Sequence, residues 1–499
     1  MSGETQPARI IGVLGAGTMG AGIAQLACRA GARTLLHDPI PEALERGAGK
    51  ARGGLEKEAA KGRITPEEAQ AAAARLEVVA GLEAFAPCDL VIEAAPELPE
   101  LKRELYERLS EIVGGECVLA TNTSSLPVTG IAAGATHPER VVGMHFFNPA
   151  PLMALVEVIA GLRSSESALA VADATGRAMG KTVIRASDGP GFLVNRCNRP
   201  FGLEALRLLG ERIAGIETID RIVRLGGGFR MGPFELSDLV GVDTGFDVAR
   251  SFYELSFGEP RWRPSPIQAQ RVAAGLHGRK TGRGYYDYSG DSHRPPDPDP
   301  PPRDGDALVR GSGPIAEALR ELAPGDSGPE IVVEGLGGTV AGEPFYALPS
   351  PARGGAQETV ARASHVARAS HVAQRSLVAQ TSLVGRAPLT LVEVTGEAGE
   401  QAFEGLGLHT ARVQPSAVGV LPRIVCQVIN ECAFALGEGV GSAQDIDAGM
   451  TLGMNYPYGP FAWAHAIGLE HVTATLNALW QEYREERYRM APALRGAAL

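Results

Sequence analysis

The sequence lacks the features of disulfide-stabilised, membrane-spanning and nucleic-acid-binding proteins. Its 499 residues include only six cysteines, and the absence of a Cys-x-x-Cys pair argues against a zinc site or a disulfide framework. No apolar run approaches the ~18 residues that cross a bilayer, and the N-terminus lacks a basic segment followed by an apolar one. A net charge of -11 disfavours non-specific binding to nucleic acid or anionic membrane. We therefore expect a cytoplasmic protein without a metal site, whose partners are small molecules.

A glycine-rich turn near the N-terminus has the spacing of a dinucleotide-binding site. A predicted strand at residues 10–14 runs into Gly-Ala-Gly-Thr-Met-Gly and then a helix, which is the context that the G-x-G-x-x-G pattern requires. The helix N-terminus would face a pyrophosphate. The next strand ends at Asp38, whose carboxylate would bond the adenosine ribose hydroxyls and repel a 2′-phosphate. NAD is therefore the predicted cofactor, and its candidate contacts here are Gly15, Gly17, Thr18, Met19, Gly20 and Asp38.

The chain is too long for one hydrophobic core, and its patterning changes several times. Strand-like apolar runs alternate with helical stretches through the first 190 residues, with a helical excursion at 41–80, which is typical of a doubly wound, mostly parallel sheet. Helical periodicity then replaces the strand signal, and a stretch rich in proline and aspartate follows as an extended spacer. The predicted segments are an NAD-binding Rossmann domain at 8–188, a helical domain at 189–290, a proline-rich linker at 291–306, a degenerate Rossmann-like segment at 307–410 and a second helical domain at 411–499.

The two helical domains are predicted to be copies of each other. Matching positions recur at one constant offset: Asp220 and Asp447, the Gly-Pro-Phe triplets at 232–234 and 459–461, and Glu204 and Glu431. Upstream, Leu-Val-Glu-Val at 391–394 repeats the same residues at 155–158, but no glycine fingerprint occurs within 307–410. The second α/β segment is therefore expected to have lost its nucleotide.

A six-residue repeat lies inside that segment. Residues 361–366 and 367–372 are identical, and 373–378 and 379–384 are looser copies. A hexapeptide β-helix would need more copies and a glycine pattern, so we favour an incidental expansion that forms helix or loop.

Further motifs indicate an enzyme. They are Thr-Asn-Thr-Ser-Ser-Leu at 121–126, Gly-Met-His-Phe-Phe-Asn-Pro at 143–149, Leu-Val-Glu-Val at 155–158, Gly-Pro-Gly-Phe-Leu-Val-Asn-Arg at 189–196 and Lys-Thr-Gly-Arg-Gly-Tyr-Tyr-Asp-Tyr at 280–288. In this order they closely resemble the L-3-hydroxyacyl-CoA dehydrogenase family over residues 8–288. The second half resembles the additional, degenerate copy that longer bacterial members of this family carry. The resemblance implies a Rossmann-type domain followed by an all-α domain, and reversible NAD-dependent oxidation of (3S)-3-hydroxyacyl-CoA to 3-oxoacyl-CoA in fatty-acid, butyrate or aromatic-compound metabolism.

Removal of a hydride from a secondary alcohol needs a base on its hydroxyl, and histidine is suited to that role near neutral pH. His145 is predicted where a strand ends at the ligand-binding edge of the sheet. Taken alone, a histidine in an apolar run is more often structural, but the resemblance makes it the base. Glu157 lies on the next strand, where it could be a half-buried strand residue with one face in water or the partner of the His145 ring. The resemblance implies that Glu157 orients His145 and stabilises the imidazolium.

By the same resemblance, Ser124 and Asn195 complete the set around the substrate oxygen. Taken alone, they would be a helix cap and a turn residue. Glu97, Lys102 and Asn122 are assigned to the NAD side, although Glu97 and Lys102 could equally form a solvated pair at a helix start.

Coenzyme A carries phosphates, which cations on the helical excursion could meet, although a solvated helix face explains them equally well. These candidate cations are Lys57, Lys61 and Arg63. Pro422 stands at the repeat position of Asn195, so we expect one active site per chain and a remnant role for Glu393.

Two alternative functions stay open at this stage: a sugar-acid or hydroxy-acid dehydrogenase of the same fold, and a non-catalytic NAD-binding structural protein. The expected assembly is a monomer with internally paired helical domains, or a homodimer.

Overall fold

The computed structural model describes residues 5–290, 292–325, 327–349, 351 and 389–495. The six-residue repeat at 361–384 lies outside these residues. The chain forms two compact units. One comprises the residues up to Val194 together with Gly439–Gly453, and the other comprises Asn195–Glu438 and the residues from Met454 onward.

The first unit is built on an eight-stranded sheet in the order β3-β2-β1-β4-β5-β6-β7-β8, where neighbours are parallel except β6 and β7. The strands are β1 (Ile10–Leu14), β2 (Arg33–His37), β3 (Leu76–Val78), β4 (Leu90–Glu93), β5 (Val118–Thr121), β6 (Val141–Phe146), β7 (Leu155–Ala160) and β8 (Thr182–Ser187). The helices are α1 (Thr18–Arg29), α2 (Pro41–Ala60), α3 (Pro66–Ala73), α4 (Pro99–Ile112), α5 (Val128–Ala132) and α6 (Glu166–Ala178). The predicted doubly wound sheet and the helical excursion are both present.

Local sequence signals explain where these elements start. In α3, the Thr65 hydroxyl accepts the N–H of Glu68 at 3.1 Å, and the Glu68 carboxylate accepts the N–H of Thr65 at 2.8 Å. This reciprocal cap satisfies two donors that a helix start otherwise leaves free. Strands β4 to β7 are buried on both faces, as expected for a sheet covered by helices.

The edge strand β8 is covered by a segment from the far end of the chain. Ser187 donates its N–H to the carbonyl of Val440 at 2.8 Å and its hydroxyl to the carbonyl of Gly439 at 3.0 Å. A Cβ at Gly449 would come within 3.0 Å of Ile184, so the glycine permits close packing here. Residues 439–453 therefore pack with the first unit, whereas the sequence predicts them within a second helical domain at 411–499.

The second unit combines helices with a six-stranded sheet. Its first helices are α7 (Val194–Cys197), α8 (Arg199–Gly210), α9 (Ile216–Arg221), α10 (Pro233–Val240), α11 (Val242–Leu255) and α12 (Pro266–Ala273). The sheet has the order β14-β13-β12-β11-β10-β9. Its strands are β9 (Leu308–Gly311), β10 (Glu330–Glu334), β11 (Gly337–Val340), β12 (Glu343–Tyr346), β13 (Leu391–Val394) and β14 (His409–Arg412), with α13 (Pro314–Leu322) and α14 (Glu397–Gly405) beside them. The later helices are α15 (Val420–Gly437), α16 (Ala443–Gly453, in the first unit), α17 (Pro460–Ile467) and α18 (Leu469–Tyr483).

Helix α15 is the one helix among the described residues that is long and apolar enough to cross a membrane by length and composition. Of its residues, 89% are buried inside the protein, however, as in the core helix of a folded domain.

The two helical copies are held together by two reciprocal ion pairs, one between α7 and α15 and one between α8 and α15. The Nε atom of Arg196 lies 2.9 Å from Glu431, and the Nε atom of Arg423 lies 2.8 Å from Glu204. All four residues are buried. Because Arg196 and Arg423 are separated by the same offset as Glu204 and Glu431, the two helical copies pair within one chain in the manner of a symmetric dimer interface.

Candidate active site

The glycine turn between β1 and α1 has the shape that a pyrophosphate needs. Gly15 has a φ of +97°, and a Cβ there would lie 2.6 Å from the carbonyl oxygen of Ala94. A Cβ at Gly20 would lie 1.7 Å from the carbonyl oxygen of Gly15. The space around Gly17 is open to at least 4 Å. Two glycines therefore close the turn, and the third leaves room for phosphates against the backbone.

The adenosine side of this turn is formed by Asp38, just beyond the carboxyl end of β2. Its carboxylate accepts the N–H groups of Ala16 at 2.8 Å and Ile40 at 2.9 Å, which fixes its orientation. A carboxylate has about four lone-pair positions, so acceptor capacity for ribose hydroxyls remains. Thr18 and Met19 open α1, and Thr18 is exposed. The residues present therefore fit NAD.

His145 and Glu157 form a buried pair across β6 and β7. They are direct cross-strand neighbours, and the Nδ1 atom of His145 lies 2.6 Å from the Oε2 atom of Glu157. His145 is 6% exposed and Glu157 is fully buried. With its Nδ1 proton directed at the carboxylate, the ring carries its free lone pair on Nε2. The ring centres of Phe147 and Phe192 lie 4.6 and 5.9 Å from the centre of the imidazole ring. These two contacts restrict the orientation of the imidazole.

Glu157 also binds the turn that leads to Asn195. Its Oε1 atom accepts the N–H groups of Leu193 at 3.2 Å and Val194 at 3.0 Å. Phe192 has a φ of +52° in this turn, which is strained for a bulky side chain. One carboxylate therefore orients the imidazole and stabilises a strained backbone. Asn195, partly buried, follows Val194 directly and is the first residue of the second unit.

Glu97 organises the backbone around Ser124. Its carboxylate accepts the Thr123 hydroxyl at 2.6 Å and the Ser124 N–H at 2.8 Å, and it lies 3.1 Å from the Lys102 ammonium. Burial alone would raise the pKa of Glu97, but Lys102 and these hydrogen bonds outweigh it and lower that pKa. The Ser124 side chain itself is exposed and available to a ligand.

Lys102 is not part of a solvated pair at the helix start, which was one of the alternatives left open by the sequence. It is 1% exposed, and its Nζ atom lies 2.6 Å from Glu93, a residue that the sequence analysis missed. The Glu93 carboxylate also accepts the Thr121 hydroxyl at 2.8 Å and the Ala95 N–H at 2.6 Å. Lys102 is buried because two carboxylates compensate its charge. The position of Glu93, last in an apolar strand, was the available signal.

Asn122 connects the predicted NAD side to the catalytic strand. Its side-chain oxygen accepts the N–H of Phe146 at 2.9 Å, next to His145. Its amide nitrogen has no partner among the described residues and is free to donate.

The candidate cations for coenzyme A phosphates lie at the end of α2 and just beyond it. Lys57, Lys61 and Arg63 are all exposed, and none forms an ion pair with the described residues. This arrangement fits both alternatives that the sequence left open.

Lys181 is a further residue that the sequence analysis missed. It is 8% exposed and donates to the carbonyl oxygens of Ala150 and Met153, each at 2.7 Å. These carbonyls belong to the loop between β6 and β7, so Lys181 closes the hairpin that carries His145 and Glu157. A lone lysine before a strand gives no sequence signal of this role.

The second copy retains the glutamate but not the histidine. Glu393 on β13 accepts the N–H groups of Val420 at 2.5 Å and Leu421 at 2.9 Å, in the way that Glu157 binds its own turn. Its cross-strand neighbour is Tyr346, where Glu157 has His145. Burial raises the pKa of Glu393 to about 7. The geometry of the carboxylate is kept here without the imidazole that it would orient.

Comparison with known families matches two adjoining models. Residues 10–189 match the 3-hydroxyacyl-CoA dehydrogenase NAD-binding domain, and residues 191–288 and 420–498 match the 3-hydroxyacyl-CoA dehydrogenase C-terminal domain. The C-terminal model thus matches two separate segments, in agreement with the repeat.

Similar proteins extend over the full chain or its first half. The 3-hydroxyadipyl-CoA dehydrogenase of Escherichia coli K12 is 36% identical over 98% of this chain and 97% of its own. A probable 3-hydroxybutyryl-CoA dehydrogenase of Deinococcus radiodurans is 41% identical over 56% of this chain and 99% of its own. The crystal structure of a 3-hydroxybutyryl-CoA dehydrogenase from Escherichia coli K12 covers 99% of this chain and 98% of its own, with 32% identity and a TM-score of 0.79.

Proposed function

Because the chain belongs to the 3-hydroxyacyl-CoA dehydrogenase family, we propose that His145 is the general base of an NAD-dependent oxidation of 3-hydroxyacyl-CoA to 3-oxoacyl-CoA. The reaction class, the cofactor and the Rossmann-type fold predicted from the sequence are confirmed. Bound NAD supplies the acceptor for the hydride that leaves C3 of the substrate.

The observation that carries the base assignment is the 2.6 Å contact between Nδ1 of His145 and the buried carboxylate of Glu157. It leaves Nε2 as the basic nitrogen, which takes the proton of the C3 hydroxyl. Glu157 then stabilises the imidazolium by a charge-assisted hydrogen bond. In the reverse direction the imidazolium returns the proton to the oxygen of the 3-oxo group.

Ser124 and Asn195 are proposed to hold the substrate oxygen by hydrogen bonds. The Ser124 side chain is exposed, and Glu97 holds its backbone by accepting the Ser124 N–H, so the hydroxyl is accessible to a ligand. The buried charge of Lys102 keeps Glu97 ionised and so fixes the Ser124 segment. Asn122, Lys102 and Glu97 are also proposed to lie on the NAD side of the site.

The acyl-CoA is the proposed partner molecule. The 3′-phosphate and pyrophosphate of its coenzyme A are proposed to meet Lys57, Lys61 and Arg63, whose charges are uncompensated by other described residues. Relatives carry the names of 3-hydroxybutyryl-CoA and 3-hydroxyadipyl-CoA dehydrogenases, so we propose a short acyl chain of four to six carbons.

A cytoplasmic location is proposed because all six cysteines are buried thiols, as is usual in a reducing compartment. The proposed assembly is a monomer, in which the second helical copy takes the place of a partner subunit.

The substitution His145→Gln tests the base. It removes the basic nitrogen while keeping a polar side chain of similar size, so kcat is expected to fall by about 10³-fold or more, in the range of lost general-base catalysis. Turnover is followed through NADH absorbance with acetoacetyl-CoA. The affinity for NADH, measured by fluorescence titration, is expected to stay nearly unchanged. A rate equal to wild type would remove the assignment.

A further inference from the structure

One arginine in the second unit differs from its neighbours. Arg199 is the first residue of α8, and its Nε atom donates to the backbone carbonyl of Asn195 at 3.1 Å. Asn198, which lies between α7 and α8, keeps helical dihedral angles. Asn195 and Arg199 are therefore four residues apart on a continuous helical path, and their side chains lie on the same face.

Arg199 has no carboxylate partner within 4 Å in the part of the chain that the structure describes. The fully buried arginines described in this unit are compensated: Arg196 and Arg261 contact Glu431, Arg423 contacts Glu204, and Arg224 contacts Glu235. Arg199 instead lies over the ring of Phe252, with 5.0 Å between its Cζ atom and the ring centre.

The surroundings of Arg199 favour an anion. Burial lowers the pKa of its guanidinium to about 10, so the charge is kept at neutral pH at a cost in desolvation. Among the described residues the two Nη atoms have no hydrogen-bond partner, and they are not sealed from solvent. A guanidinium with two free parallel donors matches a carboxylate in a bidentate pair.

We propose that Arg199 binds the terminal carboxylate of a dicarboxylic 3-hydroxyacyl-CoA, such as 3-hydroxyadipyl-CoA, and so determines the preference for that class of substrate. This proposal rests on the proposed function, because it takes Asn195 as a contact of the substrate oxygen. One helical turn is about 5.4 Å long. In the adipyl chain the terminal carboxyl carbon lies three bonds beyond C3, or roughly 4 Å when extended. A substrate whose 3-hydroxyl contacts Asn195 thus brings its carboxylate to the level of Arg199.

The test compares two substrates that differ only at the chain end: 3-hydroxyadipyl-CoA, with a carboxylate, and 3-hydroxyhexanoyl-CoA, with a methyl group. In wild type the ratio of kcat/KM is expected to favour the adipyl substrate. In Arg199→Met this ratio is expected to fall by about 10-fold to 100-fold, the range for a lost charge-assisted hydrogen bond. Arg199→Lys keeps the charge but loses the bidentate geometry, so an intermediate ratio is expected.

The matched control is Arg263→Met, which removes an exposed arginine of the same unit and is expected to leave the ratio unchanged. Calorimetric titration with adipyl-CoA and hexanoyl-CoA, which lack the reacting hydroxyl, gives a second measurement that does not depend on turnover. If Arg199→Met does not fold, Arg199→Gln replaces it in both measurements.

An unchanged ratio in a folded Arg199 variant would overturn the proposal. So would a wild-type enzyme that oxidises the hexanoyl substrate and not the adipyl one. A wild-type protein that oxidises neither substrate would instead contradict the proposed function.

Discussion

At the residue scale, the tautomer of His145 decides whether it can act as a base. A carboxylate can only accept, so Glu157 fixes the proton on Nδ1 and leaves Nε2 free. Glu157 is therefore a positioning residue, acting through the imidazole and through the backbone before Asn195.

Replacing Glu157 by glutamine is expected to reverse this tautomer. The amide oxygen would keep accepting the N–H groups of Leu193 and Val194, and the amide nitrogen would donate to Nδ1. The proton then moves to Nε2, and the basic nitrogen is lost, as in other carboxylate–histidine pairs. We expect kcat to fall about 10²-fold to 10⁴-fold with a small change in melting temperature, and the pH dependence of kcat to change shape.

Glu393→Gln is the matched control, since this carboxylate has the same two backbone partners and no histidine neighbour. It is expected to leave kcat and its pH profile unchanged. Equal losses of kcat in the two variants would mean that Glu157 serves stability alone.

The family resemblance carried by the ordered motifs implied the pairing of His145 with Glu157. The motifs did not predict the burial of Lys102, because its main partner Glu93 lies nine residues upstream, at the end of an otherwise apolar strand. A buried ammonium such as that of Lys102 is compensated by whichever carboxylate the fold places beside it. The apolar periodicity of the sequence does not show which strand end lies there.

At the element scale, the hairpin of β6 and β7 depends on the clamp formed by Lys181. Burial lowers the pKa of this ammonium to about 8, against 10.5 for an exposed lysine. Between these values the unfolded chain holds the proton and the folded chain does not, so a rising pH increases the free energy of unfolding.

Lys181→Met is expected to abolish this increase and to loosen the loop at Ala150 and Met153. In wild type, the group contributes about 2 kcal/mol to the rise in unfolding free energy from pH 8 to pH 10. Urea denaturation of both proteins at the two pH values measures the difference. The variant is also expected to lose about 10-fold in kcat, because the imidazole is held less firmly. Identical pH dependence in the two proteins would show that Lys181 remains charged in the folded state.

Most strands of the first unit could be predicted from apolar runs, but two features could not. Strand β3 has one buried residue and two exposed ones, so it carries no alternation to detect. The antiparallel pairing of β6 and β7 follows from the short loop between them, whereas the apolar pattern of each strand is the same in either direction. Likewise, the sequence does not predict that residues 439–453 pack with the first unit and not with the rest of the second helical domain, because this depends on tertiary packing.

At the scale of the whole molecule, the reciprocal pairs Arg196–Glu431 and Arg423–Glu204 give the chain an internal counterpart of a dimer interface. Since the symmetric surface is already used within the chain, light scattering is expected to show one chain of 52.2 kDa. A dimer that dissociates when residues 411–490 are altered would show that the interface also works between chains.

Arg423→Met leaves Glu204 and Glu211 without their shared guanidinium, and it is expected to lower the free energy of unfolding by on the order of 3 kcal/mol. The control Arg412→Met removes a more exposed pair with Glu400, and it is expected to lower the free energy of unfolding by less than about 1 kcal/mol.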